Sequence, residues 1–331
     1  MNQPMPLSGR SRRVALLGAV AALTLAGAGP SLGQPYPAKP ITFIVPFAAG
    51  SATDQLARAL GQSITEQTKQ TVVVDNKAGA SGMMAAQQVT RAAADGYTVL
   101  ITTNTTHAAN EHLYKKLPYD PVKDFVPVTG LGRGGQVLVV RADSPYRSAA
   151  DLIADAKKRP GKLSFGSGSS SSRVAGEMLK QLTHTEILHV PYKSNPLAVT
   201  DLLGGQIDFM ITDAATGVPQ IKGGKLRALG VSTTKRNPML PDVPTLEEAG
   251  VKGYDMGYWF AAYVPAGTPA PVVARLHDLL VAATKSAAAK SFFDSTGSDA
   301  WTTTSDELAK FQSTDAQKWG RVIKAAGIEP E

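Results

Sequence analysis

The 331-residue sequence has no cysteine. That excludes disulfides, cysteine metal ligands, thiol nucleophiles and the acylated cysteine of a lipoprotein anchor. Histidine is sparse. His107, His112, His184, His189 and His277 fall in no H-x-x-x-H or H-E-x-x-H spacing, so no metal site is expected. Walker A and dinucleotide fingerprints are missing, and Gly79-Ala80-Ser81-Gly82 lacks the spacing of a nucleophile elbow. No catalytic residue and no cofactor is therefore expected, and the chain reads as a non-enzyme. A strong charge of one sign is also lacking. The formal charge is +7, but Arg10, Arg12 and Arg13 lie in a terminal segment free of Asp and Glu; without them 31 basic residues face 27 acidic ones. A bias of +4, interspersed along the chain, does not suit a nucleic-acid partner. Lys157-Lys158-Arg159, the one basic cluster of note, reads as a solvated helix end where cations favour the dipole. Aromatics are only 6% of the residues, so tight turns and close helix–sheet packing fall to Gly, Ala, Ser and Thr.

The apolar run Val14–Ala26 is about thirteen residues long, short of the roughly twenty that span a membrane. Arginines precede it and small residues follow it, so residues 1–34 read as an export signal, either Sec or twin-arginine. The mature chain then starts near Gln34 or Pro35 and works in the periplasm.

From Ile41 onward, short β-rich runs alternate with helical patterns. The first set is Ile41–Val45, Asp54–Gln67, Thr71–Val74, Ser81–Ala94 and Tyr97–Ile101, followed by a hydroxyl-rich loop, Thr102–Thr106, that contains Thr103. Val126–Leu131 and Gln136–Arg141 are two further β runs. The second set begins with helix Ala149–Lys158 and strand Lys162–Phe165, then helix Arg173–Leu182 and strand Ile187–Val190. It continues through Pro196–Leu203, Ile207–Ile211, Ala214–Ile221 and Leu226–Val231. Extended Tyr258–Val264 leads to a helical tail. This alternation predicts an α/β protein with parallel sheets, whose ligands lie beyond the carboxyl ends of the strands. Its order predicts domain 1 from 35–138 and 262–331, with domain 2 (139–261) inserted, the layout of a hinged two-domain binding protein.

Three loops share one physical character. Pro46–Thr53, Asn76–Met83 and Gly166–Ser172 each follow a strand, are rich in Gly or Ser, and lead into a helix. Such a loop offers backbone N–H groups, hydroxyls and a helix dipole to an oxyanion, although an ordinary tight βα turn has the same composition. Candidate ligand-binding residues are Phe47, Ala49, Gly50, Ser51 and Thr53 in the first, Gly79, Ala80 and Ser81 in the second, and Ser167, Ser170 and Ser171 in the third, with Thr103 beside them. Thr53 or Asp54 is the expected cap of the first helix. Arg173 opens the helix after the serine run, where a cation opposes the dipole; it either holds a ligand carboxylate or points into water. Asp213 follows a strand and either meets the ligand or caps the next helix; Tyr192 has a similar strand-end position.

Beyond these loops, a set of short motifs resembles one family. They include Tyr36-Pro37-x-Lys39-Pro40-Ile41, Val45-Pro46-Phe47-Ala48-Ala49-Gly50, Val74-Asp75-Asn76-Lys77-x-Gly79-Ala80-x-Gly82 and Ala94-Asp95-Gly96-Tyr97-Thr98. Further on are Tyr119-Asp120-Pro121-x-x-Asp124-Phe125, Val190-Pro191-Tyr192-Lys193, Asp201-Leu202-Leu203-Gly204-Gly205 and Pro241-Asp242-Val243-Pro244-Thr245-Leu246. Nearly end to end, the mature chain is similar to the Bug receptors, extracytoplasmic solute-binding proteins of tripartite tricarboxylate transporters. The resemblance implies a type II periplasmic-binding-protein fold, two lobes joined by two crossing strands with a ligand cleft between them. It implies a small carboxylate ligand held, with ordered water, by Phe47–Thr53 and Gly79–Gly82. The implied partners are the membrane permease subunits of such a transporter; a membrane sensor kinase is the alternative. Two positions depart from the family pattern: Ser51 stands where a second glycine is usual, and Arg173 where a histidine is usual. A permanent charge at Arg173 would favour a di-acid, aliphatic or aromatic.

Overall fold

Apolar runs too short for helices become strands, and those buried on both faces carry hardly any polar alternation. Ile41–Val45 (β1) is such a strand, with four of its five residues buried. The computed structural model describes Met1 and residues 36–331; the export segment read at 1–34 otherwise lies outside the described residues. Lys39–Glu331 forms one compact unit.

β1 lies parallel to Val72–Asn76 (β2) on one side and to Thr98–Thr103 (β3) on the other. The helices Ala52–Thr68 (α1) and Met83–Thr90 (α2) make the crossovers. Gly257–Pro265 (β9) runs antiparallel to β3 and to the first part of the long strand Phe125–Arg141 (β4). The second sheet is built on the rest of β4. Residues 136–141 of β4 pair with Phe209–Asp213 (β7) and Leu226–Val231 (β8), and β7 pairs with Ser164–Ser167 (β5), which pairs with Leu188–Pro191 (β6). Crossover helices here are Ala149–Lys158 (α4), Ser170–Thr183 (α5), Asn195–Leu203 (α6) and Ala214–Lys222 (α7). The chain returns to the first sheet through residues 232–256. It closes with helices Ala270–Thr284 (α8), Ala287–Thr296 (α9) and Ser305–Ala325 (α10), and α9 leads through the two-residue strand Asp299–Ala300 (β10), which pairs with β4, into α10. α8 and α9 pack on α1, and α10 packs on β4.

The crossing strands differ in detail from the sequence expectation. β4 is one strand where two were expected, because β9 pairs with it through Gly135 and carries it across the glycine-rich break. Gly130 and Gly132 are required there for close approach. A Cβ on either would come 2.7 Å from Trp301 Cε3 or 2.6 Å from Phe293 Cε1. β4 passes from one sheet to the other at Gly135–Gln136, and β9 lies in the first sheet from Gly257 onward. The expected domain limits were 138/139 and 261/262.

Two other segments also fold differently from their composition. The hydroxyl-rich stretch after β3 is a buried π-helical turn, Thr105–Ala109, followed by Asn110–Leu113 (α3). Several of its polar groups pair locally: Thr102 and Thr106 hydroxyls meet at 2.6 Å, Thr106 Oγ1 meets His107 Nδ1 at 2.8 Å, and Tyr119 OH donates to Thr106 O. The serine run is likewise helical from Ser170, because Ser169 caps α5. α2 stops at Thr90, short of the expected Ala94. The glycine pairs after α6 and α7 do carry left-handed residues, Gly205 and Gly224.

Candidate ligand cleft between the two sheets

The first wall is the turn from β1 into α1. Ser51, not Thr53 or Asp54, is the N-cap: its Oγ accepts from Asp54 N at 3.3 Å. Asp54 works backwards on the loop instead, accepting from Gly50 N at 2.9 Å. It also takes a two-point contact from Arg58, at 3.1 and 2.9 Å. Asn76 Nδ2 at the end of β2 bonds both Phe47 O (2.9 Å) and Asp54 Oδ1 (3.0 Å). Burial works against the charge on Asp54, but the bonds from Arg58, Gly50 N and Asn76 outweigh it and hold the carboxyl below its ordinary range. The loop is thus pinned from behind, and the hydroxyls of Ser51 and Thr53 lie at the front.

The second wall comes from three helix starts in the other sheet. Ser169 Oγ caps α5 by accepting from Ser172 N at 3.2 Å. Gly168 N donates to Asn195 Oδ1 at 2.9 Å, and Asn195 Nδ2 donates to Asp213 Oδ2 at 2.8 Å. Asp213 Oδ1 accepts from Thr216 N at 2.8 Å and so caps α7. Gly168 passes so close to Ser194 that a Cβ would lie 1.9 Å from its carbonyl carbon. The floor is Gln136 on β4, Tyr258 and Phe260 on β9, and Thr103 at the end of β3. Tyr258 keeps its phenolic proton far above the ordinary range, first through burial and then through the nearby Asp213 charge. Gln136 Oε1 and Tyr258 OH are buried without a partner among the described residues. The walls touch at one side of the cleft: Ser170 Oγ donates to Asn110 Oδ1 at 2.7 Å, and Ser171 Oγ lies 3.3 Å from Thr105 Oγ1.

Between these walls lies a cavity with about 390 Å³ of unfilled space, including its mouth. Of the residues singled out in the sequence, it brings together Phe47, Ser51, Thr53, Thr103, Ser171 and Asp213. The others lie outside its lining. Ala49 and Gly50 belong to the same loop, but Gly50 N is taken by Asp54. Ala80–Gly82, entered from Gly79, is a 3₁₀ turn with positive φ throughout, and Ser81 Oγ meets Tyr114 OH at 2.8 Å. Ser167 meets His189 Nε2 at 2.7 Å, Ser170 meets Asn110, and Tyr192 OH donates to Asp201 at 2.8 Å. Arg173 turns away and pairs with Glu331 at 2.8 Å. Gln136, Asn195, Tyr258 and Phe260 escaped the sequence reading. Gln136 opens an apolar run, and Tyr258 and Phe260 belong to an extended aromatic one. Asn195, a polar residue before Pro196 at a helix start, offers the one usable signal.

Two α/β lobes joined by crossing segments, with a polar cavity where their βα turns face each other, define the type II periplasmic-binding-protein fold. Among the described residues no helix is long and apolar enough to cross a membrane. The chain belongs to the tripartite tricarboxylate transporter family of receptors, whose family model (TctC, "Tripartite tricarboxylate transporter family receptor") matches residues 56–328. Over 274 residues it is 38% identical to the UPF0065 protein in the tcbD-tcbE intergenic region of Pseudomonas sp. (strain P51), covering 82% of this chain and 81% of that one. Protein BugT of Bordetella pertussis (strain Tohama I) is 33% identical over 322 residues, covering 96% of this chain and 98% of BugT. An R. palustris protein solved with adipate superposes with a TM-score of 0.86 at 35% identity, over 89% of this chain and 100% of that one. MatC from Rhodopseudomonas palustris with bound malate gives 0.81 at 28% identity, over 87% and 100%.

Proposed function

We propose that this chain is a periplasmic receptor that captures a small carboxylated solute by closure of its two lobes and delivers it to the permease subunits of a tripartite tricarboxylate-type transporter. One observation carries the reading. The starts of α1 and α5, capped by Ser51 and Ser169, face one cavity from opposite lobes. Their free N–H groups and dipoles favour an anion without any cationic side chain. The adipate and malate held by two structural relatives have the same chemistry, and a di-acid, aliphatic or aromatic, is the ligand class proposed. Its first carboxylate belongs at Ser51 and Thr53. Arg173, engaged by Glu331, is not available for a second one, which instead lies towards the start of α5.

Closure is bending where the chain passes between sheets, at Gly135–Gln136 and across 232–256. The lobes then comprise 39–135 with 257–331, and 136–256. Removal of residues 1–34 on export places this body outside the cytoplasmic membrane. A thermal-shift screen of organic acids tests the binding step, because a ligand of the folded form raises its melting temperature. Solute uptake by a deletion strain tests delivery. No shift with any carboxylate would sink the receptor reading, and a shift with undiminished uptake would sink the transport role.

A further inference from the structure

The cavity contains a carboxylate of its own. Asp213 is 9% exposed and lines the cavity at the end of β7. Its two oxygens accept one bond each, from Thr216 N and from Asn195 Nδ2, both neutral donors. An ionised carboxylate has about four acceptor sites, so Asp213 keeps capacity on both oxygens. No Lys, Arg or His is among the described residues lining the cavity. Among the described residues its hydrogen-bond partners are those two neutral donors.

A second, independent feature lies beside it. Gln136 is the direct cross-strand neighbour of Asp213 in the β4–β7 ladder, where side chains of opposed residues adjoin. Gln136 is 1% exposed and Tyr258 5% exposed; both line the cavity, and Gln136 Oε1 and Tyr258 OH have no partner among the described residues. Buried polar groups seldom stay unpaired. Three adjoining side chains thus present unused acceptor capacity to the cavity, opposite the hydroxyls of Ser51 and Thr53. The cavity is donor-rich at α1 and acceptor-rich at Asp213.

We infer that the cavity selects a carboxylic acid that also carries a hydrogen-bond donor, an ammonium or hydroxyl substituent, with its carboxylate at the start of α1 and its donor on Asp213, next to Gln136 and Tyr258. This deepens the receptor reading and rests on it. A plain di-acid offers Asp213 nothing to accept and brings a like charge near it. A hydroxylated or aminated acid supplies the missing proton. A site built to bond such a group discriminates strongly against the analogue that lacks it, because the site's own polar atoms are then left unpaired.

Calorimetric titration of the purified chain with matched acids tests this. The four-carbon set is succinate, malate and aspartate; the six-carbon set is adipate and aminoadipate; the aromatic set is phenylacetate, mandelate and phenylglycine. In the set that binds, the substituted acid is expected to bind at least about tenfold more tightly than its parent. An ammonium preferred over a hydroxyl would assign an amino acid, and the reverse a hydroxy acid; either supports the inference. Asp213→Asn keeps an oxygen for the cap bond from Thr216 N but turns an amide NH2 towards Asn195 Nδ2, so a lower melting temperature is expected and the readout is the ratio of affinities, which should fall to within about threefold by weakening the substituted acid relative to its parent. Equal binding of parent and substituted acids overturns the inference while leaving the receptor reading intact, and needs no variant. Equal weakening of both acids by Asp213→Asn also overturns it. Binding of none of these acids overturns the inference, and the receptor reading falls with it only if the wider screen of carboxylates also gives no shift.

Discussion

Ser51 has two tasks at one atom. Its Oγ accepts the cap bond from Asp54 N, which leaves the hydroxyl proton free for whatever fills the cavity it lines. The tasks can be separated. Ser51→Ala removes both and should cost about 1 kcal/mol of stability, whereas Ser51→Gly should cost only a few tenths. Both should weaken a bound carboxylate by about tenfold, the worth of one hydrogen bond to a charged group. Urea unfolding and titration of the same samples check the pair, and a Gly variant that binds like the parent would show that the hydroxyl makes no ligand contact. Arg173 is the counter-example. Its position before the structure is seen suggests a ligand clamp, yet it pairs with Glu331. Arg173→Ala is therefore expected to change affinity by no more than about twofold, as for sites without shared partners, for mono- and dicarboxylates alike. A selective loss of dicarboxylate binding would restore it to the site.

At the scale of elements, the second wall depends on how tightly β5–α5 packs against the start of α6. Gly168 makes that possible, because any Cβ there would run into backbone of Ser194 and Asn195. Neither neighbour is the end of a flexible chain, so the strain must be taken up by moving the loop. Gly168→Ala should destabilise the protein by at least about 1–3 kcal/mol. It should also abolish tight ligand binding, since Asn195 Oδ1 is held by Gly168 N and its amide in turn orients Asp213. Thermal unfolding with and without ligand checks both parts; a variant of normal stability and affinity would show the contact to be slack. The serine run shows why such elements are hard to read from composition. Consecutive serines suggest a loop, but Ser169 in extended backbone supplies a cap and turns the rest into the first turn of α5.

For the whole molecule, two buried imidazoles set a pH dependence. Burial holds His107 down at about 3, and His189 at about 4 through burial first and then the charges of Arg173 and Lys180. Once unfolded, both bind a proton near the ordinary value of about 6.5. Below that value the unfolded chain carries more protons than the folded one, so stability is complete above about pH 6.5 and declines as the pH falls towards the folded values. His107, fully enclosed against Tyr263 and Phe125, should alone contribute a loss of about 1.4 kcal/mol per pH unit in that window. Urea titrations at about pH 7 and about pH 5 check the sign and slope; equal free energies at the two would show that neither histidine is held neutral. These histidines hold no metal-ligand spacing, and their depressed values are consequences of packing.

Local rules determined the order of elements here. The apolar runs of β1, β7 and β8, the capped helices α4 and α10 and the glycine pairs after α6 and α7 were legible because each depends on residues within one or two turns of itself. So was the first-wall loop, whose small residues and hydroxyls need no distant partner to be recognised; the serine run was not, because the cap at Ser169 turns Ser170–Ser172 into helix. The motifs along the chain carried the family as well. Only the tertiary structure decided which of those hydroxyls share a cavity, because that depends on where β4 passes from one sheet to the other. Gln136 and Asp213 are 77 positions apart and become neighbours through strand pairing, and Tyr258 joins them from a third strand. Arg173 left the site for a partner at the far end of the sequence. Pairings over such separations are set by the packing of whole sheets, to which no local pattern of residue types responds.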